Sequence, residues 1–166
     1  SQFDCNVLTR KAVCDTSAGF VEKETHRNTT WQQARFEVCH HKWVDMAETD
    51  GGIALINDSK YGVGLLENSM SLSLLRATER PDVTSDIGEH SFCYMIVPHE
   101  NDVVTAGINK LALQYNTPLV KGDYTWNLPT FESLYLQAVK KSEDGKMTVI
   151  RLCEQDGKRG TIKLSE

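Results

Sequence analysis

Chemistry in this chain would have to come from five histidines, a cluster of acids and two polar, aromatic-bearing stretches. His26, His40, His41, His90 and His99 show no HxH, no HExxH and no close His/Asp spacing. His40 and His41 are adjacent, and neighbours on a strand point to opposite faces, so one strand surface cannot offer both to an ion. Ordinary hydrogen-bonded histidines and no metal site are expected. The acids Glu37, Asp45, Glu48, Asp50 and Asp58 crowd one stretch. Two carboxyl groups about 5–5.5 Å apart can serve as nucleophile and acid/base in glycosidic cleavage. However, Glu37 alternates with Phe36 and Val38 and should face solvent, while Asp45, Glu48 and Asp50 read as turn and edge residues. No catalytic residue is assigned. A GxSxG elbow is missing, no cysteine sits in a nucleophile signature, and Gly51–Gly52 lacks the spacing of a phosphate loop.

Polyol contact is the remaining chemistry. His26, Arg27, Asn28 and Trp31 share one loop, and Lys60 with Tyr61 sits at a turn. An arginine offers a planar fork of donors, and an indole offers an apolar platform with one donor. These six residues are the candidate set, for substrate contact or for an interface with a neighbouring domain. The plainer alternative is that Trp31 and Tyr61 pack their loops onto the body and Arg27 pairs with a nearby acid. Trp43, inside an alternating strand, is expected in the core; Trp126 falls in a loop and is not placed.

The elements that would position them centre on residues 25–62. A polar loop, Thr25 to Gln33, leads into an alternating segment, Arg35–Phe36–Glu37–Val38, and a second at Lys42 to Met46. The continuous apolar run Ile53–Ala54–Leu55–Ile56 then ends at Asn57–Asp58–Ser59. Period-two alternation means one wet face, whereas a short unbroken run means a strand covered on both faces. Further strands are expected over Phe3–Val7, Ala18–Glu24, Val63–Leu66, Met70–Leu75, His90–Val97, Ser133–Lys140, Met147–Cys153 and Thr161–Leu164. Arg76 to Glu89 and Leu119 to Pro129 read as loops, and Asp144–Gly145 is a hairpin signal. Val104, Ile108, Leu111, Ala112 and Tyr115 have helical spacing, which places one short helix near 103–115, capped by Asn101 or Asp102. Many short strands and one helix make an all-β, antiparallel β-sandwich, taken as a single domain over 1–166.

Composition narrows the partners. The chain has 166 residues, net charge -5 and 25% charged residues, with no basic run longer than Lys140–Lys141, so nucleic acid is not an expected partner. No apolar run nears the roughly 20 residues of a membrane helix. Five widely spaced cysteines without a CxxC pair suit a reduced, cytoplasmic protein. In that setting the sequons Asn28–Thr29–Thr30 and Asn57–Asp58–Ser59 are accidental. Strand-like sequence at both ends is expected of a piece of a longer polypeptide.

The order of blocks along the chain closely resembles the C-terminal β domain of glycoside hydrolase family 38 α-mannosidases, especially the cytosolic and vacuolar type. The matching blocks are Thr25–His26–Arg27–Asn28–Thr29–Thr30–Trp31, Ala34–Arg35–Phe36–Glu37–Val38 and His41 through Glu48. Others are Ala54–Leu55–Ile56–Asn57–Asp58–Ser59–Lys60–Tyr61–Gly62, Leu72–Ser73–Leu74–Leu75–Arg76–Ala77 and Val149–Ile150–Arg151–Leu152. Thr30 stands where the family usually has Ser, and Ser59 where it has Cys. The resemblance implies a piece of a galactose mutarotase-like supersandwich. It also implies a parent enzyme that removes terminal α-linked mannose with retention, using a zinc ion and a nucleophile held by an N-terminal catalytic domain. This chain would be inactive alone. It would carry no cofactor, and its partners would be that domain and a mannose-containing oligosaccharide. An autonomous carbohydrate-binding module and a purely structural interaction domain are the alternatives.

Overall fold

The run Ile53–Ile56 lies at the heart of the computed structural model, which describes residues 1–119, 121–122 and 134–161. Along the chain come β1 (Gln2–Asp4), β2 (Lys11–Thr16), β3 (Gly19–Glu24), α1 (Thr30–Ala34), β4 (Val38–Cys39), β5 (Trp43–Ala47) and β6 (Gly51–Asn57). They are followed by β7 (Gly62–Leu66), β8 (Ser69–Leu72), β9 (Tyr94–Glu100), α2 (Ile108–Asn116), β10 (Leu134–Lys141) and β11 (Thr148–Glu154). Two compact units result: Ser1–Thr16 with Val21–Pro118, and Ser17–Phe20 with Leu119–Glu166.

Two antiparallel sheets, ordered β1-β8-β7-β4 and β3-β2-β5-β6-β9, make up the β structure of the first unit, Gly19 and Phe20 of β3 excepted. Alternation decides which side chains meet between them. Val44, Met46 and Leu55 come from one sheet and Val63, Leu65, Met70 and Leu72 from the other, joined by Ala12 and Cys14 of β2. Burying one such aliphatic side chain is worth about 1.5–3 kcal/mol, so this layer carries much of the fold. Trp43 is on the opposite face of β5, where its Nε1 donates to Asn109 Oδ1 of α2 at 3.2 Å. Helix α2 packs over β5 and β6, and Asn116 Nδ2 ties its end to the Asn57 carbonyl at 3.1 Å.

The all-β sandwich expected from the sequence is what forms, with several local differences. Lys42–Met46 is buried on both faces rather than one, because α2 covers the side away from the inner core. Arg35–Glu37 is not a strand: only Val38–Cys39 pairs, with β7, and Phe36 is 60% exposed while the Glu37 side chain is half-buried. β2 was not anticipated, nor was α1 within the Thr25–Gln33 loop. β8 stops at Leu72, and β9 starts at Tyr94 and runs to Glu100.

The helix near 103–115 also begins later than its spacing suggests. Asp102 Oδ1 accepts from the amides of Val104 (2.9 Å) and Thr105 (3.0 Å), and Oδ2 accepts from Thr105 Oγ1 (2.7 Å). That turn closes at Gly107 in the left-handed region, φ 69°, so α2 starts at Ile108. In the second unit, β10 and β11 form the hairpin signalled by Asp144–Gly145, with Gly145 at φ 72°. Trp126, the loop reading beyond residue 122 and the body of the Thr161–Leu164 strand lie outside the described residues.

Candidate functional site

The candidate loop is anchored before its functional side chains begin. Thr25 is buried: its amide donates to the Arg10 carbonyl (3.1 Å), its hydroxyl to the Thr9 carbonyl (2.7 Å), and its own carbonyl accepts from the Glu67 amide (2.6 Å). Thr29 then starts α1 with a capping box, its hydroxyl accepting from the Gln32 amide at 3.2 Å. Gln32 Oε1 returns the favour to the amides of Asn28 (2.7 Å) and Thr29 (3.1 Å), and its Nε2 donates to Glu24 Oε2 (2.9 Å). The same Nε2 lies 3.4 Å from His26 Nε2.

Arg27 reaches back to the chain beyond α1, donating from Nη2 to the Phe36 carbonyl at 3.0 Å. That fixes Phe36–Glu37 against β7, where the backbone is bare. A Cβ on Gly64 would lie 3.2 Å from the Phe36 carbonyl oxygen, and one on Gly62 would collide with the Glu37 carboxylate. Glu37 forms an ion pair with Arg76. Three open cavities surround this point. One of about 540 Å³ is bounded by Arg27, Phe36, Glu37, Leu66, Leu75 and Arg76 over a serine-rich floor. A second, about 350 Å³, is bounded by His26, Arg27, Gln32, Arg35 and Glu37. The third, about 370 Å³, is bounded by Glu37, Tyr61, Gly62 and Arg76. Glu37 borders all three.

Of the six candidate residues, the structure gathers three around this point and leaves three apart. His26 and Arg27 line cavities, and Tyr61, set edge-on to His41 at 5.7 Å, lines the third. Trp31 is 67% exposed with the Arg35 guanidinium 5.2 Å from its ring centre, and borders none of the three cavities. Asn28 is tied through its backbone, and Lys60 lies over the Phe92 ring at 4.9 Å. Glu37 and Arg76 are the residues that sequence reasoning missed. The Gly62-x-Gly64 pattern was the available signal, since alternate glycines on a strand mark close approach of another group.

Two buried polar pairs behind the site also differ from expectation. Asp45 is not a turn or edge residue: it is 1% exposed in a central strand, and its Oδ1 is 2.7 Å from His99 Nε2. This is a close His/Asp pair that spacing did not reveal, because 54 residues separate its members. Burial pushes the Asp45 carboxyl up, against the pull of the His99 bond. His40 is fully buried and takes a 2.9 Å bond at Nε2 from Asn57 Nδ2. Burial, then the neighbouring His41, pushes His40 down to about 4, so the ring is neutral at pH 7. Four of the five acids that suggested a catalytic pair hold structural partners: Glu37 Arg76, Asp45 His99, Glu48 the Leu8 amide and Asp58 the Cys93 amide. Among the described residues no three His, Cys, Asp or Glu side chains gather in one place.

Two packed antiparallel sheets carrying polar loops over open, arginine-lined cavities make this a β-sandwich region. Residues 1–84 match the glycosyl hydrolases family 38 C-terminal domain, and the chain belongs to that family. It is 36% identical over 168 residues to alpha-mannosidase 2C1 of Mus musculus, covering 94% of this chain and 16% of that protein. It is 38% identical over 171 residues to alpha-mannosidase G of Dictyostelium discoideum, covering 96% of this chain and 16% of that protein. An alpha-mannosidase crystal structure from Enterococcus faecalis has the same fold, with a TM-score of 0.72 at 16% identity over 91% of this chain and 19% of that one. The chain thus spans about one sixth of the length of the curated relatives it matches. No helix among the described residues is long and apolar enough to cross a membrane.

Proposed function

We propose that this chain is the non-catalytic C-terminal β-sandwich region of a longer α-mannosidase. The whole polypeptide would remove terminal α-linked mannose from mannosides and oligosaccharides. The observation that carries this reading is the family match combined with length: the region aligns nearly end to end with α-mannosidases while making up 16% of them. In this reading residues 1–166 act as one β region, and bond cleavage with retention belongs to an N-terminal domain of the same polypeptide. In this reading zinc belongs there too. The cytoplasm is the proposed location, and the five free cysteines support it. The test is incubation of the 166-residue chain and of the full polypeptide with a chromogenic α-mannoside and zinc. Turnover by the full polypeptide alone is expected; turnover by the 166 residues overturns the reading.

A second reading, an autonomous carbohydrate-binding module, draws support from the exposed Trp31 and from the cavities bordered by His26, Arg27 and Tyr61. Titration with mannose oligosaccharides separates the two. A saturable change in Trp31 fluorescence, abolished by Arg27→Ala, supports the module, and a flat titration removes it.

A further inference from the structure

The outer face of the sheet β1-β8-β7-β4 combines three features that the reading above does not use. Phe36, Leu66 and Leu75, exposed by 60%, 42% and 50%, border the same 540 Å³ cavity. Isolated apolar residues on a surface mean little, but several around one concavity mark a contact site. Two guanidinium groups, Arg27 and Arg76, face that cavity with one carboxylate, Glu37, between them. In a chain of net charge -5 this is a local excess of one positive charge. Aromatic and arginine side chains together are also the composition of protein interfaces.

Both arginines are held before any partner arrives. Arg27 is fixed by its bond to the Phe36 carbonyl, and its Nε is buried without a partner. The backbone at Arg76 is fixed because its amide (3.1 Å) and that of Ala77 (2.6 Å) both donate to Asp86 Oδ2. Groups already in place lose little freedom on binding, so their contacts contribute more to affinity.

We infer that this groove is the seat for a segment from the amino-terminal part of the same polypeptide, one presenting a carboxylate beside an apolar side chain. The carboxylate would join Glu37 between Arg27 and Arg76, making two acids for two bases, while the apolar side chain covers Phe36, Leu66 and Leu75. A partner in the same polypeptide is favoured by length, since relatives carry this region as 16% of one chain. The inference rests on the α-mannosidase reading.

Hydroxyl-radical footprinting of the full polypeptide tests it. Phe36, Leu66 and Leu75 are expected to be protected several-fold relative to the urea-unfolded polypeptide. The Arg27→Glu/Arg76→Glu variant should lose that protection while the buried Leu55 keeps its own. Three outcomes overturn the inference: no protection in the native polypeptide, protection indifferent to the charge reversal, or protection that appears only when mannose oligosaccharide is added. Any of these alongside normal α-mannoside turnover sinks the groove assignment and leaves the enzyme reading standing. If no full polypeptide hydrolyses α-mannoside, it is the enzyme reading that fails.

Discussion

His40 should act as an acid-sensitive weak point of the first unit. Its Nε2 accepts from Asn57 Nδ2, and Asn57 cannot turn over to accommodate a proton there. Its Oδ1 is already committed to the amides of Ser59 (3.1 Å) and Lys60 (2.6 Å). Protonating the ring would place two donors face to face at a site with no solvent exposure. The sign follows from linkage. A histidine lowered from 6.5 to about 4 is neutral in the folded chain over a range where the unfolded chain takes up a proton. Stability from this group is therefore fully present above pH 6.5, declines as pH falls, and is gone below about 4. At about 1.36 kcal/mol per pH unit the loss amounts to about 3 kcal/mol, a large part of a typical domain's margin. Asp45 works in the opposite direction: its raised carboxyl favours the folded state at acid pH, a benefit that fades as pH rises.

His40→Gln isolates the first effect, because a glutamine oxygen can still accept from Asn57 and does not titrate. Urea unfolding of both forms at pH 7.5, 6, 5 and 4.5 is the assay. The wild-type chain should lose more stability on acidification than the variant, the difference approaching about 3 kcal/mol at full protonation. Parallel pH curves for the two proteins, or an NMR titration of the His40 ring centred near 6.5, would refute the reasoning.

Leu55→Ala should cost about 2–5 kcal/mol, because Leu55 is fully buried between the sheets and its loss leaves a cavity; the denaturation midpoint reads it. Gly62→Ala should cost about 1 kcal/mol or more by driving the Glu37 carboxylate away from Arg76. In a Glu37→Ala background the same change should be nearly neutral, and an unchanged cost in that cycle would contradict the packing described here.

Periodicity alone was enough to reveal the sandwich. Ile53–Ile56 as a covered strand, Met70 and Leu72 against Ser71, and the Asp144–Gly145 hairpin all follow from local chemistry. What period could not reveal depends on residues far apart in sequence. Asp45 reads as an edge residue because its partner, His99, lies across β6 on β9. Lys42–Met46 reads as half-wet because α2, more than sixty residues later, covers its second face. Helix α1 was hidden by its shortness: one turn has no apolar stripe, and its only mark is the Thr29-x-x-Gln32 box. β2 escaped because Val13, between the inward-facing Ala12 and Cys14, turns the alternation into a three-residue apolar run. Of the site, Arg27 and His26 were readable from residue type. Glu37 was assigned to solvent because its strand-like neighbours do not in fact form a strand.

The amide of Asn57 has a bearing on where such a chain can be made. Both hydrogens of its Nδ2 are engaged, one toward His40 and one toward the His41 carbonyl at 3.0 Å. A glycan linked to that nitrogen would replace one of them and would have no room beside a side chain that is 1% exposed. If this polypeptide were routed through the secretory pathway, oligosaccharyl transfer at Asn57 would yield molecules unable to close the β6–β7 turn. The exposed Asn28, whose side chain anchors none of the bonds that hold its loop, would accept the same sugar without that penalty.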